Sequence, residues 1–216
     1  MTRDAASLPD LDRLLAADLV AAPVDPAWRR EFAPALSYGR HDGPPRSDAR
    51  LAAVALALCW DGREWALPLT VRDANLSRHG GQVSLPGGLV EIGESARDAA
   101  RRELAEELGV EPPLAWLGEL APLLVFASNA YVTPCVACIS GWPEWKPQRG
   151  EVDRVLRLSV RELIAQRPPA PMAIERGPVH FTAPRLLVEG CSVWGATAVL
   201  LGELQGRLRR IARSLV

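Results

Sequence analysis

Between Gly88 and Val110 the chain reads GLVEIGESARDAARRELAEELGV, which holds Glu94, Arg102, Glu103, Glu106 and Glu107 in fixed register between Gly88 and Gly109. On a helix advancing by about 100° per residue, Glu103 and Glu107 share nearly one bearing, and Glu106 stands one turn from Glu103 on the adjacent strip. Carboxylates at i, i+3 and i+4 repel one another, and the C-terminal end of a helix is where the macrodipole disfavours anions. A cation relieves both. Oxygen ligands with no clustered His or Cys suit a hard divalent ion, Mg²⁺ or Mn²⁺, rather than zinc. A solvated acidic face is the commoner meaning of an isolated Glu-x-x-Glu-Glu. Against it stand the apolar stripe Ala100, Leu104 and Leu108 beside the acids, and Pro86-Gly87-Gly88 just upstream, where bare backbone can approach a metal or a phosphate. Arg102, one turn before Glu106, can orient that carboxylate, and Glu94 at the helix entrance can pair with Arg102.

The elements that must position these groups are legible to different degrees. Ser95 with Asp98 predicts a capping box, Ala99 to Leu108 has high helix propensity, and Gly109 is the expected stop. Leu51 to Trp60 reads as a buried strand, followed by an Asp61-Gly62 turn and a return strand to Val71. A loop with two glycine pairs, Gly80-Gly81 and Gly87-Gly88, leads to the helix. Further strands are expected around Leu114–Glu119, Leu123–Ala127, Val132–Ile139, Val155–Ser159, His180–Leu187 and Cys191–Trp194. Helices are expected near Val160–Gln166 and from about Ala196 to Ser214, with a loop from Pro168 to Pro171. Strands and helices alternate without the even repetition of a doubly wound sheet, which favours a mixed-sheet α/β or α+β layer fold. Leu8, Leu11, Leu15 and Leu19 mark an N-terminal helix, and Tyr38 to Asp48, with Gly43-Pro44-Pro45, reads as a linker. The expected division is a helical extension and linker over 1–46 and one domain over 47–216.

The 216 residues, 48% apolar and 24% charged with a formal net charge of −1, describe a globular chain with one ordinary core. No global charge suggests a nucleic-acid or membrane-surface partner, so any electrostatic function is local. The longest apolar run, Leu51 to Trp60, is half of the ~20 residues that span a bilayer, and Met1 to Asp10 has no signal-peptide core. A cytoplasmic protein is the expectation. Cys59, Cys135, Cys138 and Cys191 are too few for a disulfide scaffold and are read as reduced. On a strand Cys135 and Cys138 face opposite sides, which argues against a shared metal. Leu201, Leu204, Leu208, Ile211 and Leu215 recur at heptad-like intervals. Packing against the chain's own sheet is the better reading, with a homodimer left open.

The pattern G-x5-E-x7-R-E-U-x-E-E-x-G-U, with U aliphatic, is the signature of the Nudix hydrolases, and Gly88 to Val110 matches every specified position. Leu69-Thr70-Val71-Arg72 through Leu76-Ser77-Arg78-His79-Gly80-Gly81-Gln82-Val83-Ser84-Leu85-Pro86-Gly87-Gly88 resembles the motif of the coenzyme A pyrophosphatase branch. Gly150-Glu151-Val152 and Val193-Trp194-Gly195-Ala196-Thr197-Ala198 are similar to that branch as well. Many members have Arg, Phe and Ser or Ala where this chain has Ser77, Leu85 and Asp73. The first two resemble plant-type relatives, whereas Asp73 puts an acid near an anionic ligand. The resemblance implies a Nudix-type α/β/α sandwich with a mixed β-sheet, and Mg²⁺- or Mn²⁺-dependent hydrolysis of a nucleoside diphosphate derivative. With coenzyme A the products are 3′,5′-ADP and 4′-phosphopantetheine. It further implies Glu103 and Glu107 as core metal ligands, Glu106 as a third ligand or the base, the Gly88 carbonyl as a further ligand, and Glu151 as an additional ligand or base. Arg72 and Arg78, flanking the loop that ends in Gly87-Gly88, are the candidates for the substrate phosphates. ADP-ribose, NADH and a dinucleoside polyphosphate remain alternative substrates. A non-catalytic nucleotide sensor is disfavoured, because such modules lose a box glutamate or the arginine and this chain keeps all of them.

Overall fold

The computed structural model of the chain describes residues 10–35, 45–77, 79–167, 170–176 and 179–214. Its centre is β1 (Arg50–Trp60), which runs parallel to β7 (Ala130–Ser140) from the Arg50–Ala130 pair to the Trp60–Ser140 pair. A central parallel pair is covered on both faces, which is why β1 is a continuous apolar run. The remaining strands pair antiparallel. β2 (Trp65–Arg72) joins β1, β3 (Val83–Ser84) and β8 (Val152–Ser159). β4 (Gly87–Leu89) pairs with β1, while β5 (Ala115–Glu119) and β6 (Leu123–Val125) pair with β7.

Alternation along β1 sorts its side chains by size. Ala53, Ala55, Ala57 and Cys59 pack with Ala99, Ala100, Leu104 and Leu108 of the helix α3 (Ala96–Leu108). Leu56 and Leu58 pack in the other cluster, with Leu11 and Leu15 of α1 (Leu11–Ala21) and Leu200, Leu201, Leu204 and Leu208 of α5 (Gly195–Ser214). Small residues let α3 lie close to the sheet, and leucines fill the deeper layer opposite. The result is an α/β/α sandwich with a mixed sheet. The second helical layer is completed by α2 (Pro26–Arg30) and α4 (Val160–Ala165), with small hairpins β9 (Met172–Arg176)–β10 (Val179–Ala183) and β11 (Arg185–Val188)–β12 (Cys191–Trp194).

The second layer is joined by ion pairs in its interior. Glu203, with 0% exposure, accepts from Arg29 Nε at 2.8 Å and Arg207 Nη2 at 3.2 Å. Asp18 accepts from Arg207 at 3.0 Å and Arg210 at 2.7 Å. A Cβ at Gly206 would lie 2.1 Å from the Trp28 ring, and one at Gly202 would lie 2.4 Å from the Phe32 ring, so α2 sits in a glycine notch of α5.

Several expectations are corrected. The glycine loop before α3 contains β3 and β4, which are too short to show a period. Helix α2, started by Asp25 accepting from the Ala27 N–H with Pro26 at its first position, and strand β9 were not anticipated. The Ser95–Asp98 box is half formed: Ser95 Oγ accepts from the Asp98 N–H, but its hydroxyl bonds the Asp98 carboxylate at 2.5 Å instead of freeing it to reach back. The complete box is Ser159 with Glu162. Leu201, Leu204, Leu208 and Ile211 are buried within this chain. Leu8, Pro168, Leu215 and most of the expected linker, 38–44, lie outside the described residues. All four cysteines are free thiols. Among the described residues no helix is long and apolar enough to cross a membrane.

Candidate active site

The site begins at the end of α3. Gly109 ends the helix in the left-handed conformation at φ 65°, where a side chain is disfavoured, with its N–H on Ala105 O. Two further carbonyls are capped from the segment before β8: the Lys146 N–H donates to Leu108 O at 2.7 Å and the Gln148 N–H to Glu107 O at 2.9 Å. The last turn of α3 is thereby fixed from outside as well as within.

Glu103 and Glu107 project towards β4. A Cβ at Gly88 would lie 2.2 Å from Glu103 Oε1, so only glycine lets the backbone approach this carboxylate. Glu107 has a side chain 5% exposed, and burial pushes its pKa up to about 8. The Arg72 guanidinium opposes that rise with Nη1 at 3.8 Å, while the charges of Glu103 and Glu151 add to it. Glu103 is also raised, chiefly by burial and against the pull of Arg102. Two buried polar atoms here have no hydrogen-bond partner, Glu107 Oε2 and Arg72 Nε.

Arg102 organises the other acids. It reaches Glu94 at 3.0 Å, Glu103 at 2.8 Å, Glu106 at 3.1 Å and the Leu89 carbonyl at 3.0 Å. Glu94 is held below the usual carboxylate range by the Arg102 hydrogen bond. The expected pairings of Arg102 with Glu94 and Glu106 are present. The expected convergence of three carboxylates is not: Glu106, 53% exposed, turns to solvent and Arg102, leaving Glu103 and Glu107 as the inward pair. Among the described residues no three acid, His or Cys side chains are already gathered at coordinating distance.

Glu151 follows Gly150, whose φ of 87° makes the turn, and its carbonyl accepts from the Asp73 N–H at 2.9 Å. Its charge is felt by both Glu103 and Glu107. Asp73 spends its carboxylate on its own turn, accepting from the Asn75 N–H at 2.8 Å and Nδ2 at 2.9 Å. Arg78 lies outside the described residues.

Beside Arg72 and Gly87 opens a pocket of about 370 Å³ with mostly apolar walls, including Val54, Leu85, Val125, Phe126, Phe181 and Trp194. Three of its polar lining groups bond to protein partners. His79 Nδ1 lies 3.0 Å from Gln82 Oε1, and the Ser84 hydroxyl lies 2.8 Å from that of Thr70. Sequence reasoning missed Phe126 and Phe181: Phe126 stands in a single 3₁₀ turn and Phe181 on a short hairpin, with no period to mark either.

A model of the NUDIX domain matches residues 49–179. Over 139 residues, 64% of this chain and 72% of the relative, the sequence is 31% identical to an uncharacterized Nudix hydrolase, NudL, of Pectobacterium atrosepticum. It is 30% identical, over the same shares, to NudL of Salmonella newport. Among solved structures, the chain is similar to the MutT protein from Methanosarcina mazei, at 16% identity over 78% of this chain and 98% of that one with a TM-score of 0.48. It is also similar to the NUDIX domain of Shewanella oneidensis NrtR complexed with ADP ribose, at 18% identity over 62% and 87% of the two chains with a TM-score of 0.44.

Proposed function

The chain belongs to the NUDIX domain family, hydrolases that act on pyrophosphate bonds, and from that premise we propose that it cleaves the diphosphate of coenzyme A or its acyl derivatives to 3′,5′-ADP and (acyl)phosphopantetheine. The catalytic unit in this reading is 47–216, with 1–46 as an extension. Glu103 and Glu107 would hold Mg²⁺ or Mn²⁺, with the Gly88 carbonyl beside them and Glu106 as third ligand or base. The fit rests on a buried carboxylate oxygen without a partner, Glu107 Oε2, next to a glycine whose missing side chain leaves room at Glu103. A bound divalent ion neutralises diphosphate oxygens and acidifies a water. Arg72, with an unpartnered buried Nε, supplies a cation to a phosphate oxygen. Arg102, tied to Glu94, keeps Glu103 and Glu106 oriented, and Glu106 or Glu151 takes the proton of the attacking water. Gly87 and Gly88 are assigned the approach of bare backbone to the phosphates, and Arg78 a second phosphate contact.

The observation that carries the coenzyme A reading is the apolar pocket beside Arg72 and Gly87. In the pantetheine arm a methylene and then a dimethyl-substituted carbon separate the phosphate ester from the first hydroxyl, and these two carbons ask for no hydrogen bond. The ribose that follows the diphosphate in ADP-ribose or NADH brings hydroxyls to the same place. Each hydroxyl buried without a partner costs about 1–3 kcal/mol. The test is product analysis after incubating the full chain and Mg²⁺ with coenzyme A, octanoyl-coenzyme A, ADP-ribose and NADH. Release of 3′,5′-ADP is expected. Intact coenzyme A species alongside consumed ADP-ribose or NADH would reject the assignment.

A further inference from the structure

Part of the pocket wall comes from outside the segment that matches the family. Arg72, Ser84, Gly87 and Phe126 lie within 49–179, whereas Pro34, Phe181, Trp194, Ala196, Thr197 and Leu200 do not. These outer residues come from three places: the stretch just after α2, the strand β10, and the junction of β12 with α5. Phe181 and Trp194 meet with ring centroids 6.3 Å apart.

Two of the three pieces are locked together. Leu200 lies one turn before Glu203, the buried acid that accepts from Arg29 of α2 at 2.8 Å and from Arg207 of α5 at 3.2 Å. Pro34 lies two residues beyond Phe32, whose ring, like that of Trp28, fits against a glycine of α5. Removing one partner of such a buried network strands a charge, so the arrangement tolerates few alternatives. Any displacement of α2 from α5 would also displace Pro34 relative to Ala196 and Thr197.

We infer that this flanking assembly is the specificity element of the enzyme: α2 and α5, clamped through Arg29, Glu203 and Arg207, hold Pro34, Ala196 and Thr197 as a fixed wall. That wall receives the apolar arm on the far side of the scissile diphosphate. The carboxylates and Arg72 deliver the chemistry from the family segment, and the flanks select what is attached to the phosphates. The inference rests on the reading above only in placing the second arm in this pocket.

Two variants of the full chain test it. Ala196→Phe fills the pocket from α5. Gly206→Ala, a residue that does not line the pocket, drives a methyl group into Trp28 and pushes α2 from its notch. For Ala196→Phe the KM for coenzyme A should rise by about 10- to 200-fold, the range for loss of apolar complementarity, and by more than kcat falls. For Gly206→Ala, assayed well below its melting midpoint, KM should rise by at least about 3-fold, and Trp28→Leu in the same chain should restore it. The Mg²⁺ concentration for half-maximal rate should stay put in both, because the carboxylates are untouched. A KM within about twofold of the parent in both variants overturns the inference, as does a Gly206→Ala defect wholly accounted for by loss of folded enzyme. Should the parent leave coenzyme A intact and cleave another diphosphate, the proposed substrate fails, and the same KM comparison on the cleaved compound still decides the role of the wall.

Discussion

Replacing Glu107 with Gln separates the cost of burying this carboxylate from its use. Burial raises its pKa from an ordinary 4.5 to about 8, with Arg72 at 3.8 Å acting against the rise. The folded state therefore holds this proton more tightly than the unfolded chain does. Between about pH 4.5 and pH 8 the folded protein binds more protons, so stability falls as pH rises through that window. At about 1.4 kcal/mol for each tenfold change in proton affinity, the ceiling on the loss is about 5 kcal/mol. Gln has the same shape and no charge, so in the absence of divalent ions Glu107→Gln should match the parent near pH 4 and exceed its stability by a few kcal/mol at pH 8. Urea denaturation in EDTA at a series of pH values measures the difference. Mg²⁺ should narrow the gap at high pH. A ligand at a hundred times its Kd adds about 2.7 kcal/mol to a protein that binds it when folded, and the variant should gain little of this. Parallel pH profiles for parent and variant, or equal stabilisation of both by Mg²⁺, would refute the reasoning.

Other outcomes follow from the same contacts. Gly88→Ala places a methyl group 2.2 Å from Glu103 Oε1 and should abolish Mg²⁺-dependent turnover while circular dichroism stays at the parent level, as should Glu103→Gln. Glu203→Ala leaves the Arg29 charge in the interior without a carboxylate, while Arg207 keeps Asp18, and should cost about 3–5 kcal/mol in a denaturation experiment, whereas the exposed pair Arg46–Asp48 should contribute less than about 1 kcal/mol. Burial pushes the Cys59 and Cys135 thiols up to about 12, so neither should be alkylated by iodoacetamide at pH 8 until the protein is denatured, as read by mass spectrometry.

The glutamate helix was legible because its signals are local: a capping serine, a run of good helix formers and a terminal glycine. What a helical wheel cannot say is which half of an acidic strip faces inward. Glu103 and Glu107 lie inward because α3 packs on the alanines of β1, a tertiary fact, and Glu106, one strip over, is left to Arg102 and solvent. The second layer was less legible still. A glutamate in a C-terminal helix reads as exposed, yet Glu203 is wholly buried because two arginines distant from each other in sequence meet it there.

The same alternation that sorts side chains by size along β1 also divides the labour of the site. Val54, on the leucine-bearing face with Leu56 and Leu58, lines the apolar pocket, whereas Ala53 lies on the face that carries α3 and its carboxylates. Strand β4 repeats the division one strand over, with Gly87 opposite Val54 and Gly88 opposite Ala53. Gly87 borders the pocket, and Gly88 touches Glu103. The carboxylates and the pocket therefore lie on either side of this dipeptide. Side chains there have no room: a Cβ at Gly87 would meet Ala53 O at 2.3 Å and one at Gly88 would meet Glu103 at 2.2 Å. The two glycines thus do different things. Gly88 lets backbone approach the acids that would hold the cation, and Gly87 lets β4 lie against Ala53 and Val54 of β1 at the border of the pocket whose far wall the flanking helices build.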